Sequence, residues 1–162
     1  MTIELVRQVF WLLLPAAMAN MAPVLFRWLP WGAGPVDFGF RLGQRRILGD
    51  HKTWRGLIVG LVAALLTAFG QGSSPVYGVL LGAGALGGDL VKSFFKRRLA
   101  IPSGHSWPFF DQADWILGAL VVLIFIQPQP ALLWLVSLLL FVPLHFLVNV
   151  VGYKLGIRSS PW

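Results

Sequence analysis

The sequence predicts an all-α, polytopic membrane protein with five transmembrane helices. Its N-terminus is expected outside and its C-terminus in the cytoplasm. Three observations predict this. Hydrophobic residues make up 57% of the 162 residues and charged residues only 12%. Several apolar runs approach the roughly 20 residues a helix needs to cross hydrocarbon. Of the 13 Lys and Arg, all but Arg7 gather in or beside one set of connections, and basic loops stay on the cytoplasmic side. One integral membrane domain over residues 1–162 is expected.

The first span is read over residues 4–25. Ala17-Met18-Ala19 resembles a leader-cleavage site, but Glu4 accompanies Arg7 ahead of it and the apolar run continues past Ala19, so a retained helix is expected. The second span covers 54–69, the third 76–95, the fourth 109–127 and the fifth 131–152. The turns GQGSSP and QPQP carry no charge and belong to the outer face. The loops 27–53 and 96–108 and the tail from Tyr153 hold Arg27, Arg41, Arg45, Arg46, Lys52, Arg97, Arg98, Lys154 and Arg158, and belong to the cytoplasm. Gly78, Gly82 and their small neighbours are expected to let helices approach closely. The chain has no cysteine, so disulfides, thiolate nucleophiles and cysteine metal sites are excluded. A net charge of +7 in such a chain reads as orientation and anion binding at a membrane face, with no nucleic-acid partner expected.

The acids follow the bases. Asp37, Asp50, Asp89, Asp111 and Asp114 all map to the cytoplasmic side, and only Glu4 does not. Asp89 lies inside the third span, where an ionised carboxylate needs partners. Asp89, Lys92, Ser93 and Lys96 are spaced i, i+3, i+4 and i+7, which puts them on one helix face. A self-neutralising Asp–Lys pair would explain that much. It would not explain Asp111 and Asp114, another i, i+3 pair at the same membrane depth. Clustered carboxylates suit Mg²⁺, which completes its shell with water and substrate phosphates. Lys92, Lys96, Arg97 and Arg98 suit phosphate oxygens. Acids for a divalent cation and bases for phosphate, at a membrane face, point to phosphoryl or nucleotidyl transfer on a lipid.

Other residues keep two readings. In GDHKTWRG, residues 49–56, Thr53 fits a helix N-cap, and Asp50, Lys52 and Arg55 either support that cap and snorkel or meet a phosphate. Asn20 either bonds a neighbouring helix or reaches substrate. His105, in the charged loop, is either a substrate contact or a loop residue. His145, near Pro143, reads as packed. No zinc site and no Ser–His nucleophile elbow is present.

The ordered set Asn20-x-x-Pro23, Pro35-Val36-Asp37, Gly49 to Gly56, Gly88-Asp89-x-x-Lys92-Ser93-x-x-Lys96-Arg97-Arg98 and Gly104-x-x-Trp107-Pro108-x-x-Asp111-Gln112-x-Asp114 resembles the CDP-archaeol synthase family. That family comprises archaeal CTP:2,3-di-O-geranylgeranyl-sn-glycerol 1-phosphate cytidylyltransferases. The second half is also similar to the CDP-diacylglycerol synthases, with Gln112 in place of that family's Arg and a shorter chain. The resemblance implies that an isoprenoid glycerol-phosphate lipid attacks the α-phosphate of CTP, so that pyrophosphate leaves and a CDP-lipid forms. It implies Mg²⁺ on Asp89, Asp111 and Asp114, and polyphosphate neutralised by Lys92, Lys96 and Arg97. It further implies nucleotide or lipid-phosphate contacts from Asp50, Lys52, Thr53 and Arg55, and secondary contacts from Ser93 and Asn20. A transporter or ion channel built on Asp89 and Lys92 is the competing reading. A lipid-binding scaffold explains the bases but not the acids.

Overall fold

The computed structural model describes residues 3–102 and 105–157; Arg158 of the basic tail and Gly104 of the motif lie outside them. Five helices form: α1 (Ile3–Leu25), α2 (Trp54–Gly70), α3 (Pro75–Arg98), α4 (Phe110–Ile126) and α5 (Ala131–Lys154). Starts follow local chemistry. Thr53 is the N-cap of α2 and its hydroxyl accepts the Gly56 N–H at 3.2 Å. Pro75 occupies the first turn of α3, where a missing N–H costs nothing. α3 runs three residues past the expected end because Lys96, Arg97 and Arg98 suit the negative end of a helix. Asp89 therefore stands deeper in its helix than the sequence suggests. Three helices, α1, α3 and α5, are long and apolar enough to cross a membrane. α2 and α4 have 17 residues each, at the lower limit for spanning.

α3 is central and packs on α1, α2 and α4, while α5 packs mainly on α4. The core joins Leu13 and Ala16 of α1, Leu81 and Ala85 of α3, Ile116 and Leu120 of α4, and Leu133 and Phe141 of α5. Phe69, Phe125 and Leu139 stay exposed on the outside of the bundle, as expected of a lipid-facing surface. Small residues set the spacing as expected. A methyl at Gly78 would lie 2.5 Å from the Ala64 carbonyl oxygen of α2. α3 and α4 are closer still: methyls at Gly88 and Gly118 would lie 2.2 Å from Asp114 O and 2.1 Å from Gly84 O.

The connection between α1 and α2 is more ordered than a polar loop. It contains a small antiparallel hairpin, β1 (Arg41–Leu42) and β2 (Arg45–Arg46), absent from the expected all-helical layout. Asp37 organises it. Its buried carboxylate accepts the N–H groups of Leu48, Gly49 and Gly39 and pairs with Arg46 at 2.5 Å. Burial opposes ionisation, but Arg46 and the three N–H groups outweigh it and hold the carboxyl well below the usual carboxylate range. A depressed folded value gives stability that is complete above the unfolded value of about 3.9 and is lost as pH falls towards the folded one. Asp37→Asn should therefore weaken this connection at neutral pH by about 1–3 kcal/mol and flatten its acid sensitivity. Limited proteolysis across residues 41–50, read against pH, checks this. An unchanged cleavage profile would deny Asp37 its anchoring role.

Candidate active site

All the ends on one side of the bundle meet in a cavity of about 620 Å³. α1 contributes Asn20 and Pro23, α2 the Thr53–Leu57 turn, α3 its charged second half, α4 Asp111 and Asp114, and α5 His145 and Asn149. The centre is a single ammonium. Lys92 Nζ lies 3.1 Å from Asp89 Oδ1, 2.9 Å from Asp111 Oδ1 and 2.6 Å from Asp114 Oδ2. Lys52 reaches in from the α1–α2 connection and pairs with the other oxygen of Asp89 at 2.5 Å. Lys96 lies 3.1 Å from both oxygens of Asp111 and also meets the His105 carbonyl. Three aspartates and three lysines thus form one network from three chain segments. Its side chains are between 4% and 23% exposed, which is low enough for the charges to act strongly on one another.

Local geometry aims the acids. Asp111 sits in the first turn of α4 and its carboxylate accepts the Trp107 N–H at 2.6 Å. The residue before that helix, Phe109, adopts φ +68 and ψ −52, the centre of a tight γ-turn in which the Phe110 N–H donates to the Pro108 carbonyl at 2.9 Å, a conformation rare for a bulky side chain. That turn folds the 105–109 segment back over Asp111. Asp114 accepts the Trp115 N–H at 2.6 Å.

The other expected site residues divide. Asn20, Asp50, Lys52, Thr53, Arg55, Ser93, Arg97 and His105 all line the cavity. Several already hold structural partners. Ser93 donates back to the Asp89 carbonyl at 2.8 Å, Thr53 caps α2, Arg55 bonds the Leu29 carbonyl, and Asp50 pairs with Arg46. Arg98 does not line the cavity. Its guanidinium donates to the carbonyls of Leu42 and Arg46 and lies over the Phe94 ring, so it clamps the hairpin to α3. His145, expected to be packed only, accepts the Trp115 indole N–H on Nδ1 at 3.1 Å and also forms cavity wall. Asn149, four residues on, was not singled out. The i, i+4 spacing of two polar residues near the end of a very apolar helix could have found the pair.

Among the described residues no three acids or histidines form a preformed metal cage. The three aspartates instead share one ammonium, which shows that their oxygens converge on a position suited to positive charge. Carboxylate oxygens suit magnesium, which needs only one or two of them besides substrate phosphates. The donor chemistry fits.

A model of the CarS-like, CDP-archaeol synthase family matches residues 2–74 and 72–162. A CDP-archaeol synthase of Methanopyrus kandleri is 38% identical over 161 residues, covering 94% of this chain and 91% of that one. One from Pyrococcus furiosus is 38% identical, covering 96% and 97%. The chain belongs to the CDP-archaeol synthase family. A solved structure of an intramembrane enzyme for archaeal membrane lipid biosynthesis is similar as well, with a TM-score of 0.77 and 36% identity over 89% of this chain and 94% of that one. The chain is accordingly a membrane enzyme of archaeal lipid synthesis, of the nucleotidyltransferase class. As a family member it has no need of a path across the bilayer, and the transporter reading loses ground. The charged groups of the cavity stay at one end, and the stretch of α3 from Val76 to Gly88 carries no acid or base.

Proposed function

We propose that the protein transfers CMP from CTP to an unsaturated isoprenoid diether glycerol phosphate, with Mg²⁺, giving CDP-archaeol and pyrophosphate. The observation that carries this is the Asp89–Lys92–Asp111–Asp114 centre inside a cavity that also exposes Lys52, Arg55, Lys96 and Arg97 for phosphates and has Val24, Leu57, Leu86 and Leu90 among its apolar walls. A phosphate oxygen of the lipid attacks the α-phosphorus of CTP, and the bond from that phosphorus to the bridging oxygen of the β-phosphate breaks. The attacking oxygen is already ionised at neutral pH, so no protein nucleophile or strong base is required, which agrees with the lack of cysteine in the chain. Lys52, Lys92 and Lys96 stabilise charge that builds on the phosphates as they exchange partners. Asp111 and Asp114, with Asp89, would hold Mg²⁺, which supplies further neutralisation of the polyphosphate. Arg97 extends the basic wall towards the leaving group.

All five helices cross the bilayer in this reading, α2 and α4 as short spans beside longer ones. The N-terminus is outside, and the cavity opens to the cytoplasm, where the nucleotide is. Support comes from the basic residues gathered at the cavity end. The lipid chains lie between helices, against hydrocarbon.

The deciding assay is pyrophosphate release by purified protein in detergent. Release is expected only when CTP, Mg²⁺ and a phosphorylated archaeal diether are all present. Asp111→Asn and Asp114→Asn should each reduce it by about 10²–10³-fold, with a rise in the Mg²⁺ concentration needed for half-maximal rate. Unaltered turnover at limiting Mg²⁺ would remove these aspartates from the metal site.

A further inference from the structure

A second, smaller cavity of about 250 Å³ adjoins the first. Arg45, Arg46, Arg97 and Ala100 are among its walls, and Asp50 and Arg97 belong to both cavities. Drug-sized and nucleotide ligands occupy about 300–1,000 Å³, so this space suits a small inorganic anion. Its charge suits one too, with three arginines against one aspartate. Arg97 has no side-chain hydrogen bond or ion pair among the described residues, and its buried Nε has no partner. The buried Nε of Arg46 has none either. The last carbonyls of α3 would ordinarily repel an anion here. Arg45 covers them, donating to the carbonyls of Arg97 at 3.3 Å and Arg98 at 2.6 Å.

We infer that this cavity is a pyrophosphate site, a station that the leaving group occupies after it departs the reaction centre. The inference rests on the cytidylyl transfer proposed above, because that reaction supplies pyrophosphate beside Arg97. Arg97 faces both cavities and hands the anion on. Arg46 already pairs with Asp37 and Asp50, and its remaining donor, the buried Nε, gains an anionic partner. The next substrate can then bind before product has diffused away, and the nucleotide and pyrophosphate sites are separate.

The test is binding of radiolabelled pyrophosphate to the full chain in detergent, with a saturating non-hydrolysable CTP analogue and with inorganic phosphate as competitor. Ala100 lines the small cavity with φ +62, a conformation that Asp and Asn adopt more readily than Ala. Ala100→Asp adds a negative charge without disturbing the fold, and Ala100→Asn adds the same shape without charge. Pyrophosphate should bind beside the analogue and should resist displacement by phosphate. Ala100→Asp should weaken it by about tenfold or more, Ala100→Asn should not, and analogue affinity should be the same in all three. Exclusion of pyrophosphate by the analogue, easy displacement by phosphate, or equal binding to both variants would overturn the proposal. Failure of the cytidylyl-transfer reading appears differently, as no turnover and no analogue binding. The comparison of Ala100→Asp with Ala100→Asn then decides the cavity's role by itself.

Discussion

Replacing Lys92 by methionine should lower CTP-dependent pyrophosphate release by about 10²–10³-fold, the usual cost of losing one preorganised charge at a reacting centre. Lys92 holds the carboxylates of Asp89, Asp111 and Asp114 within 3.1 Å of one nitrogen. Methionine fills similar space without charge. Only Lys52 and Lys96 then face three carboxylates, and the acids must spread, take protons or recruit a cation. Removing one member of a buried ionic network costs about 3–5 kcal/mol, so the unfolding temperature should fall as well. Lys92→Arg keeps the charge, but a planar fork cannot sit at a point shared by three carboxylates, so its activity should lie between the two. Raised Mg²⁺ should recover part of the methionine variant's rate if ammonium and metal answer to the same carboxylates. Turnover and unfolding both matching the parent chain would remove Lys92 from the centre.

The sequence shows this centre only in part, for a geometric reason. Helical spacing puts Asp89, Lys92 and Lys96 on one face and Asp111 beside Asp114, and both placements come from a single helix at a time. That the two faces close on one nitrogen depends on the distance between α3 and α4. Gly84, Gly88 and Gly118 set that distance, and Gly118 carries no charge to draw attention. The five helices were legible to within about three residues, because apolar runs of this length have few alternatives in a membrane chain. The hairpin was not. Strands of two residues are too short to show alternation, and their hold on α3 runs through Arg45 and Arg98 to backbone carbonyls, which leave no trace in a sequence. Arg98 therefore read as a phosphate ligand when its bonds go to Leu42 and Arg46. His145 was legible as a polar residue in an apolar helix, but its place in the cavity wall follows from the way α5 leans on α4 at Trp115.

Gly118→Ala should reduce turnover by about 10²-fold, the penalty for misplacing reacting groups by around 1 Å, although the residue touches no substrate. Its added methyl would lie 2.1 Å from Gly84 O, 2.9 Å from Gly84 C and 3.0 Å from Gly88 N. All three are backbone atoms of α3, and backbone inside a packed helix cannot step aside as the end of a side chain can. The helices must part or tilt instead. Asp89 and Lys92 ride on α3, Asp111 and Asp114 on α4, so the parting acts directly on the distances around Lys92. Overpacking of this kind costs about 1–3 kcal/mol, which predicts a lowered unfolding temperature alongside the lost rate. Gly87→Ala is the matched control. It lies on the same helix as Gly84 and Gly88, yet a methyl there meets nothing within 4 Å. Its turnover should be unchanged, since the only expected effect is the better helix propensity of alanine, worth about 1 kcal/mol or less. A Gly118→Ala protein as active as Gly87→Ala would mean that α3 and α4 slide freely without disturbing the chemistry. The carboxylates would then have to find their geometry from the bound nucleotide, with no help from the fold.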